Sequence, residues 1–90
     1  MRYNAGHMIE EKEIKEAILS VLGGATVELK NPRGDGLHFE AIVVASQFIG
    51  KSLIEQQRLV MTPLTKLFGS SLHAMSLKTY TPIEWEKVKS

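Results

Sequence analysis

Cysteine is absent from this chain of 90 residues. The protein therefore cannot form a disulfide or a structural zinc site with thiolate ligands. The absence agrees with a reducing compartment, and we expect a cytoplasmic protein. If the chain binds a metal, its own ligands must be histidine or carboxylate side chains. The histidines that it offers are His7, His38 and His73.

Long apolar runs and a strong charge of one sign are also lacking. No apolar run exceeds a few residues, so we expect no membrane-spanning segment, and no secretory signal is indicated. The formal net charge of +1 gives little reason to expect nucleic acid as a partner. With 43% hydrophobic and 23% charged residues, the composition is typical of one globular domain.

The amino-terminal part of the chain changes character after a few residues. Residues 1–8 show no periodicity and predict a flexible tail, followed by a single domain over residues 9–90. Residues 9–22 predict the first helix, because apolar side chains recur there at helical spacing. Gly23 and Gly24 predict its end, since glycine accepts the left-handed conformation at low cost.

Two strands and a turn follow the first helix. Residues 25–30 and 38–45 alternate and are rich in β-branched side chains, which fits strands. The segment between them, centred on Gly34-Asp35-Gly36, has strong turn chemistry. Together these segments predict a hairpin.

The middle of the chain predicts helix. Ser52 and Glu55 form a capping-box pattern that starts it, and we expect it to carry Leu53, Ile54, Gln57 and Val60. Pro63 interrupts the pattern, which predicts either two short helices or one kinked helix. Residues 72–79 alternate again and predict a third strand, with His73, Met75, Leu77 and Thr79 facing the helices. Thr81, Pro82 and Glu84 predict a short terminal helix.

The predicted order is therefore α-β-β-α-α-β, with a short helix added. A helical connection between the second and third strands favours a parallel, right-handed crossover. We predict an α+β fold of the type II KH-like arrangement, a mixed three-stranded sheet with helices on one face. The segment Met61-Thr62-Pro63 lacks the Gly-x-x-Gly loop by which KH domains grip RNA, so the fold does not imply RNA binding.

Two blocks of sequence resemble the BolA-like family, particularly its bacterial IbaG-type members. The first runs from Gly34 through the strand to Phe48-Ile49-Gly50. The second is Leu72-His73-Ala74-Met75-Ser76-Leu77-Lys78-Thr79-Tyr80-Thr81-Pro82-Ile83-Glu84-Trp85. Between them lies Gln57-Arg58-Leu59-Val60, where the family often has His-Arg-Leu-Val. The resemblance covers about the last two-thirds of the chain.

The resemblance implies a partner and a cofactor. Members of the family pair with monothiol glutaredoxins and hold a bridging 2Fe–2S cluster, with glutaredoxin cysteine and glutathione as thiolate ligands. The histidine that the family supplies from the start of the last strand corresponds to His73, and a second ligand from the hairpin region corresponds to His38. We expect no cluster in the isolated chain, which would be a monomer or a weak homodimer.

Other interpretations of these residues stay open. His73 could be a strand-edge histidine bonded to backbone, and His38 could simply shield Phe39. Some family members are described as DNA-binding transcriptional regulators, and a nucleic-acid or partner interface would use Lys30, Arg33, Lys78, Tyr80 and Thr81. Solvated surface is the ordinary role of such cations. No combination of serine, histidine and aspartate residues lies within a recognisable catalytic motif, so we predict that the protein is not an enzyme.

Overall fold

The computed structural model describes residues 9–31, 38–69 and 74–89, and it describes residues 38 and 74 by their backbone. The elements in chain order are α1 (Glu11–Val21), β1 (Thr26–Lys30), β2 (His38–Val44), a 3-10 turn (Ser46–Phe48), α2 (Leu53–Phe68), β3 (Ala74–Tyr80) and α3 (Pro82–Lys89). The predicted tail over residues 1–8 and the predicted loop at Gly34-Asp35-Gly36 lie outside the described residues.

The three strands form one sheet in the order β1-β2-β3. β1 pairs with β2 antiparallel, with Val27 opposite Val43, and β2 pairs with β3 parallel, with Val43 opposite Thr79. A parallel pair needs a long crossover, and α2 provides it. The predicted hairpin and the predicted mixed sheet are both confirmed.

α1 and α2 pack on one face of the sheet, as predicted. Side chains that face each other across this layer come from every second strand residue and from one stripe of each helix. The largest fully buried side chains there are Phe39, Phe48, Ile14, Ile18, Leu22, Leu64, Val43 and Val60. Met75 and Leu77 pack against this core and Thr79 is buried, so the inward orientation predicted for these three residues is confirmed. His73, the fourth residue of the predicted inward set, lies outside the described residues.

α2 is one continuous helix, and Pro63 lies inside it. The alternative of two short helices is therefore not what the chain adopts. The helix carries Leu53, Ile54, Gln57 and Val60, as predicted, and of these Val60 is buried. Leu53 and Ile54 are 61% and 63% exposed, because the side that meets the sheet carries Gln56, Val60 and Leu64.

The helix ends follow the predicted chemistry. The Glu55 backbone N–H donates to Ser52 Oγ at 3.2 Å, and the Ser52 N–H donates to Glu55 Oε1 at 2.8 Å. Gly24, just after α1, has φ of 82°, a conformation that glycine adopts without a Cβ penalty. Across the described ranges, no helix is both long and apolar enough to cross a membrane.

Candidate functional site

His38, the described residue of the predicted histidine site, lies where two parallel strands begin. It is the first residue of β2, Ala74 is the first residue of β3, and the two are partners in the ladder. β2 and β3 therefore begin side by side at one edge of the sheet. His73 directly precedes Ala74 in the sequence but lies outside the described residues, as does His7.

The described residues offer no complete metal site by themselves. Among them, no group of three or more histidine, cysteine, aspartate or glutamate side chains is close enough to hold a metal ion. Cysteine is absent from the whole chain. An iron–sulfur cluster with thiolate ligands would therefore need those thiolates from another molecule.

A buried polar contact fixes the other end of β3. Thr79 Oγ1 donates to Gln56 Oε1 at 2.6 Å, and Gln56 Nε2 donates to the carbonyl oxygen of Lys51 at 3.0 Å. Both side chains are 9% exposed. Sequence reasoning missed this pair. The available signal was that Gln56 stands four and eight positions before Val60 and Leu64, on the stripe that packs inward.

The face of the sheet opposite α1 and α2, which we call the open face, carries the predicted lysines. Lys30 and Lys78 are exposed there, together with the carboxylates of Glu28 and Glu40. Lys30 lies directly opposite Glu40, while Glu28 and Lys78 flank Ile42 from the two outer strands. Alternating charges of this kind cancel at a distance, so these four side chains do not form a basic patch.

Tyr80 and Thr81 hold α3 in place. The rings of Tyr80 and Trp85 are 5.3 Å apart at an angle of 44°, so α3 lies against one end of the open face, where Val44 is buried. Thr81 Oγ1 accepts from the Glu84 N–H at 3.3 Å, as predicted for a capping box. The predicted interface roles of Tyr80, Thr81, Lys30 and Lys78 stay predictions, and Arg33 lies outside the described residues.

Comparison with known proteins places the chain in a family. The family model described as "BolA-like protein" matches residues 13–84. The chain is 35% identical over 80 residues to the acid stress protein IbaG of Escherichia coli K12, covering 88% of this chain and 92% of that one. It is 33% identical over 55 residues to the DNA-binding transcriptional regulator BolA of the same organism, covering 61% of this chain and 52% of that one.

A solved structure agrees with this assignment. The structure of a BolA protein homologue from Coxiella burnetii is 40% identical and superposes with a TM-score of 0.73, covering 88% of this chain and 99% of that one. The α+β fold, the matching family model and the extent of the sequence identity agree. This chain belongs to the BolA-like family.

Proposed function

We propose that this protein is a non-enzymatic adaptor that binds a monothiol glutaredoxin and shares a bridging 2Fe–2S cluster with it, in iron–sulfur trafficking or sensing. Glutaredoxin cysteine and glutathione supply the thiolates, His73 supplies an imidazole, and His38 assists. One observation carries the proposal: His38 pairs with Ala74, the residue that follows His73 in the sequence. In sequence, His73 thus stands one residue before the strand partner of His38.

The ligand types that the chain offers suit a cluster that bridges two proteins better than a cluster bound by this chain alone. Without cysteine, the chain offers imidazoles but no thiolate. Iron–sulfur clusters are held mainly by thiolates, and histidine in place of cysteine raises the reduction potential. Histidine must also be deprotonated to bind iron, which makes ligation sensitive to pH near neutrality. These properties support a partner that brings the sulfur ligands.

Visible circular dichroism of a cluster-loaded monothiol glutaredoxin tests the proposal. Adding the wild-type protein, with glutathione present, is expected to change the spectrum as imidazole replaces one ligand. His73→Ala is expected to abolish the change, and His38→Ala to reduce it. His7→Ala is the matched control, because it removes the remaining histidine of the chain from the predicted tail.

A His73→Cys variant extends the test. It replaces imidazole by thiolate, so the complex should form with a lower reduction potential than that of the wild type. An unchanged spectrum with wild-type protein, or equal behaviour of wild type and His73→Ala, would contradict the proposal. Far-ultraviolet circular dichroism of each variant establishes that the fold is retained.

Binding of DNA is the second candidate function. It is favoured by the 33% identity to a protein named as a DNA-binding transcriptional regulator. It predicts binding to a promoter fragment that weakens steeply with salt, because released counterions drive such association. Lys30→Ala with Lys78→Ala should reduce the salt dependence. Absence of binding at low salt rejects this function, and the charge balance of the open face makes it the weaker candidate.

A further inference from the structure

An apolar groove lies between the end of α1 and one side of α2, away from the strand edge that begins with His38. Its apolar lining comes from Val21, Leu59 and Pro63. The groove is shallow and open to solvent, with a volume of about 420 Å³, and Val21 is 49% exposed although it repeats at the apolar spacing of α1. An apolar side chain that remains half exposed beside a concavity is available for contact with another molecule.

The charges around this groove are mainly positive. Lys51 and Arg58 line it and are exposed, and within the described ranges neither forms an ion pair. Glu55 is the acidic residue of the lining, and its carboxylate accepts the Ser52 N–H at 2.8 Å. Its pKa is lowered first by the hydrogen bonds of Ser52 and then by the positive charges of Lys51 and Arg58, so both cations already interact with it. Two cations beside one carboxylate still leave the lining with a net positive charge, which favours an incoming group of negative charge.

We propose that this groove is a docking site for an acidic amphipathic helical segment of a partner protein. Apolar side chains spaced three or four residues apart would enter between Val21 and Leu59, and flanking carboxylates would pair with Lys51 and Arg58. Helix-in-groove recognition uses this combination of apolar anchors with a charged rim. Complementary charge at the rim sets partner choice and speeds association.

A second copy of this chain fits the groove less well. Exposed apolar residues lie at the ends of two helices: Leu53, Ile54 and Leu67 on α2, and Ile83 and Val88 on α3. α2 has one glutamate against one arginine and one lysine, and α3, with the sequence PIEWEKVK, contains as many lysines as glutamates. Neither helix therefore brings a net negative charge. Nucleic acid lacks the aliphatic side chains that the groove lining would accommodate.

The groove is separate from the proposed cluster site. α2 runs back across the sheet, and Arg58 lies ten residues before Phe68, the last residue of the helix. At the usual rise per residue this is roughly 15 Å along the axis. The groove is therefore distinct from the edge where β2 and β3 begin.

Nuclear magnetic resonance titration of the labelled full chain tests the inference with two designed peptides. One is an amphipathic helix with leucines at positions i, i+4 and i+7 and glutamates between them, and the other replaces each glutamate by lysine. The acidic peptide is expected to shift the amides of Val21, Leu59 and Thr62 and to bind at least about tenfold more tightly than the basic one. No iron or glutaredoxin is present, so the result is independent of the proposed function.

Charge reversal sharpens the test. The variant Lys51→Glu/Arg58→Glu is expected to prefer the basic peptide. Lys12→Glu/Lys15→Glu changes the net charge equally on α1 and is expected to keep the wild-type preference. Val21→Ser should weaken the acidic peptide severalfold without loss of folding, because Val21 is half exposed.

Several results would overturn the inference. These are the absence of groove shifts at millimolar peptide, equal affinity for both peptides, and equal preferences of the two double variants. Shifts of the same amides on raising protein concentration alone would instead assign the groove to self-association. Tighter binding of anionic vesicles or DNA to these residues would assign it to another class of ligand.

Discussion

Thr79 on β3 donates a hydrogen bond from Oγ1 to Oε1 of Gln56 on α2, and the two atoms are 2.6 Å apart in the interior. The amide nitrogen of the same glutamine reaches the carbonyl oxygens of Lys51 at 3.0 Å and Phe48 at 3.5 Å. One side chain therefore connects the last strand to the segment before α2. Because the interior strengthens polar contacts and penalises unpaired groups, this connection is specific to one packing arrangement.

Loss of this contact should be costly. Thr79→Val keeps the shape of the side chain but leaves the buried Gln56 oxygen without its donor. We expect the free energy of unfolding to fall by about 1–3 kcal/mol. Urea denaturation followed by circular dichroism measures the change.

Thr26→Val provides the matched control, because Thr26 is exposed on β1. It should change stability by less than about 0.5 kcal/mol. The double variant Gln56→Leu/Thr79→Val completes a cycle and should be less destabilised than the sum of its single changes. Additive effects would show that the two side chains do not interact energetically.

The amino-terminal cap of α2 should depend on pH. Hydrogen bonds from the Ser52 backbone N–H, and then from its side chain, lower the pKa of Glu55 below its ordinary value of 4.5. A lowered pKa in the folded state means that the ionised group contributes stability above the unfolded pKa, and that this contribution is lost as pH falls through the folded pKa. Carbon-detected titration of the Glu55 carboxyl group should give a midpoint below 4.5.

Substitution checks the sign of this effect. Glu55→Ala should be less stable than wild type at neutral pH, and the difference should shrink as the pH falls below 4.5. Glu16→Ala removes a carboxylate from an exposed position of α1 and serves as the control. A stability difference for Glu55→Ala that stays constant from neutral to acid pH would contradict the cap assignment.

Pro63 should limit the stability of α2. A proline inside a helix removes one backbone hydrogen bond and crowds the carbonyl four residues earlier, here that of Leu59. Pro63→Ala restores the backbone N–H donor at position 63. It also raises the conformational entropy of the unfolded chain, which offsets part of the gain. We expect the free energy of unfolding to rise by about 2 kcal/mol. Thr62→Ala, at the adjacent exposed position, should change stability far less. Destabilisation by Pro63→Ala would mean that its ring contacts outweigh the missing bond.

Trp85 should attach α3 to the sheet. Its ring packs near Tyr80, and the same region covers Val44, which is 6% exposed. Trp85→Ala should lower the free energy of unfolding by about 1.5–3 kcal/mol and speed amide exchange in α3. Ile83→Ala, at a 69% exposed site of the same helix, is the control. Slow exchange in α3 of Trp85→Ala would show that other contacts hold the helix.

Local sequence patterns predicted the helix starts and the strands, because capping residues and alternation are recognisable within a few consecutive residues. The capping residues Ser52 and Thr81 each sit three positions before a glutamate, and alternation marks β3. The course of α2 through Pro63 could not be predicted in this way. It depends on burial of Val60 and Leu64 on either side of the proline, which outweighs one missing hydrogen bond.

The residues of the candidate site could be predicted only in part, because contacts between distant elements do not appear in local sequence patterns. Motif resemblance indicated His38, and the parallel register then set it beside Ala74. The partner of Thr79 was not predictable from composition, since glutamine in a helix normally faces solvent. Val21 repeats at the apolar spacing of α1 and yet is 49% exposed, because periodicity identifies a stripe but not where the neighbouring helix stops covering it.

The parallel pairing of β2 with β3 sets the sequence in which the strand pairs can form while the chain is synthesised. β1 and β2 are neighbours in sequence and can form their hairpin early, whereas β3 must wait until the long crossover through α2 has closed. A chain still emerging from the ribosome therefore presents His38 without its companion strand. Under the proposed function, both imidazoles are available only after translation has delivered the final strand, so an unfinished chain cannot yet share a cluster with a glutaredoxin.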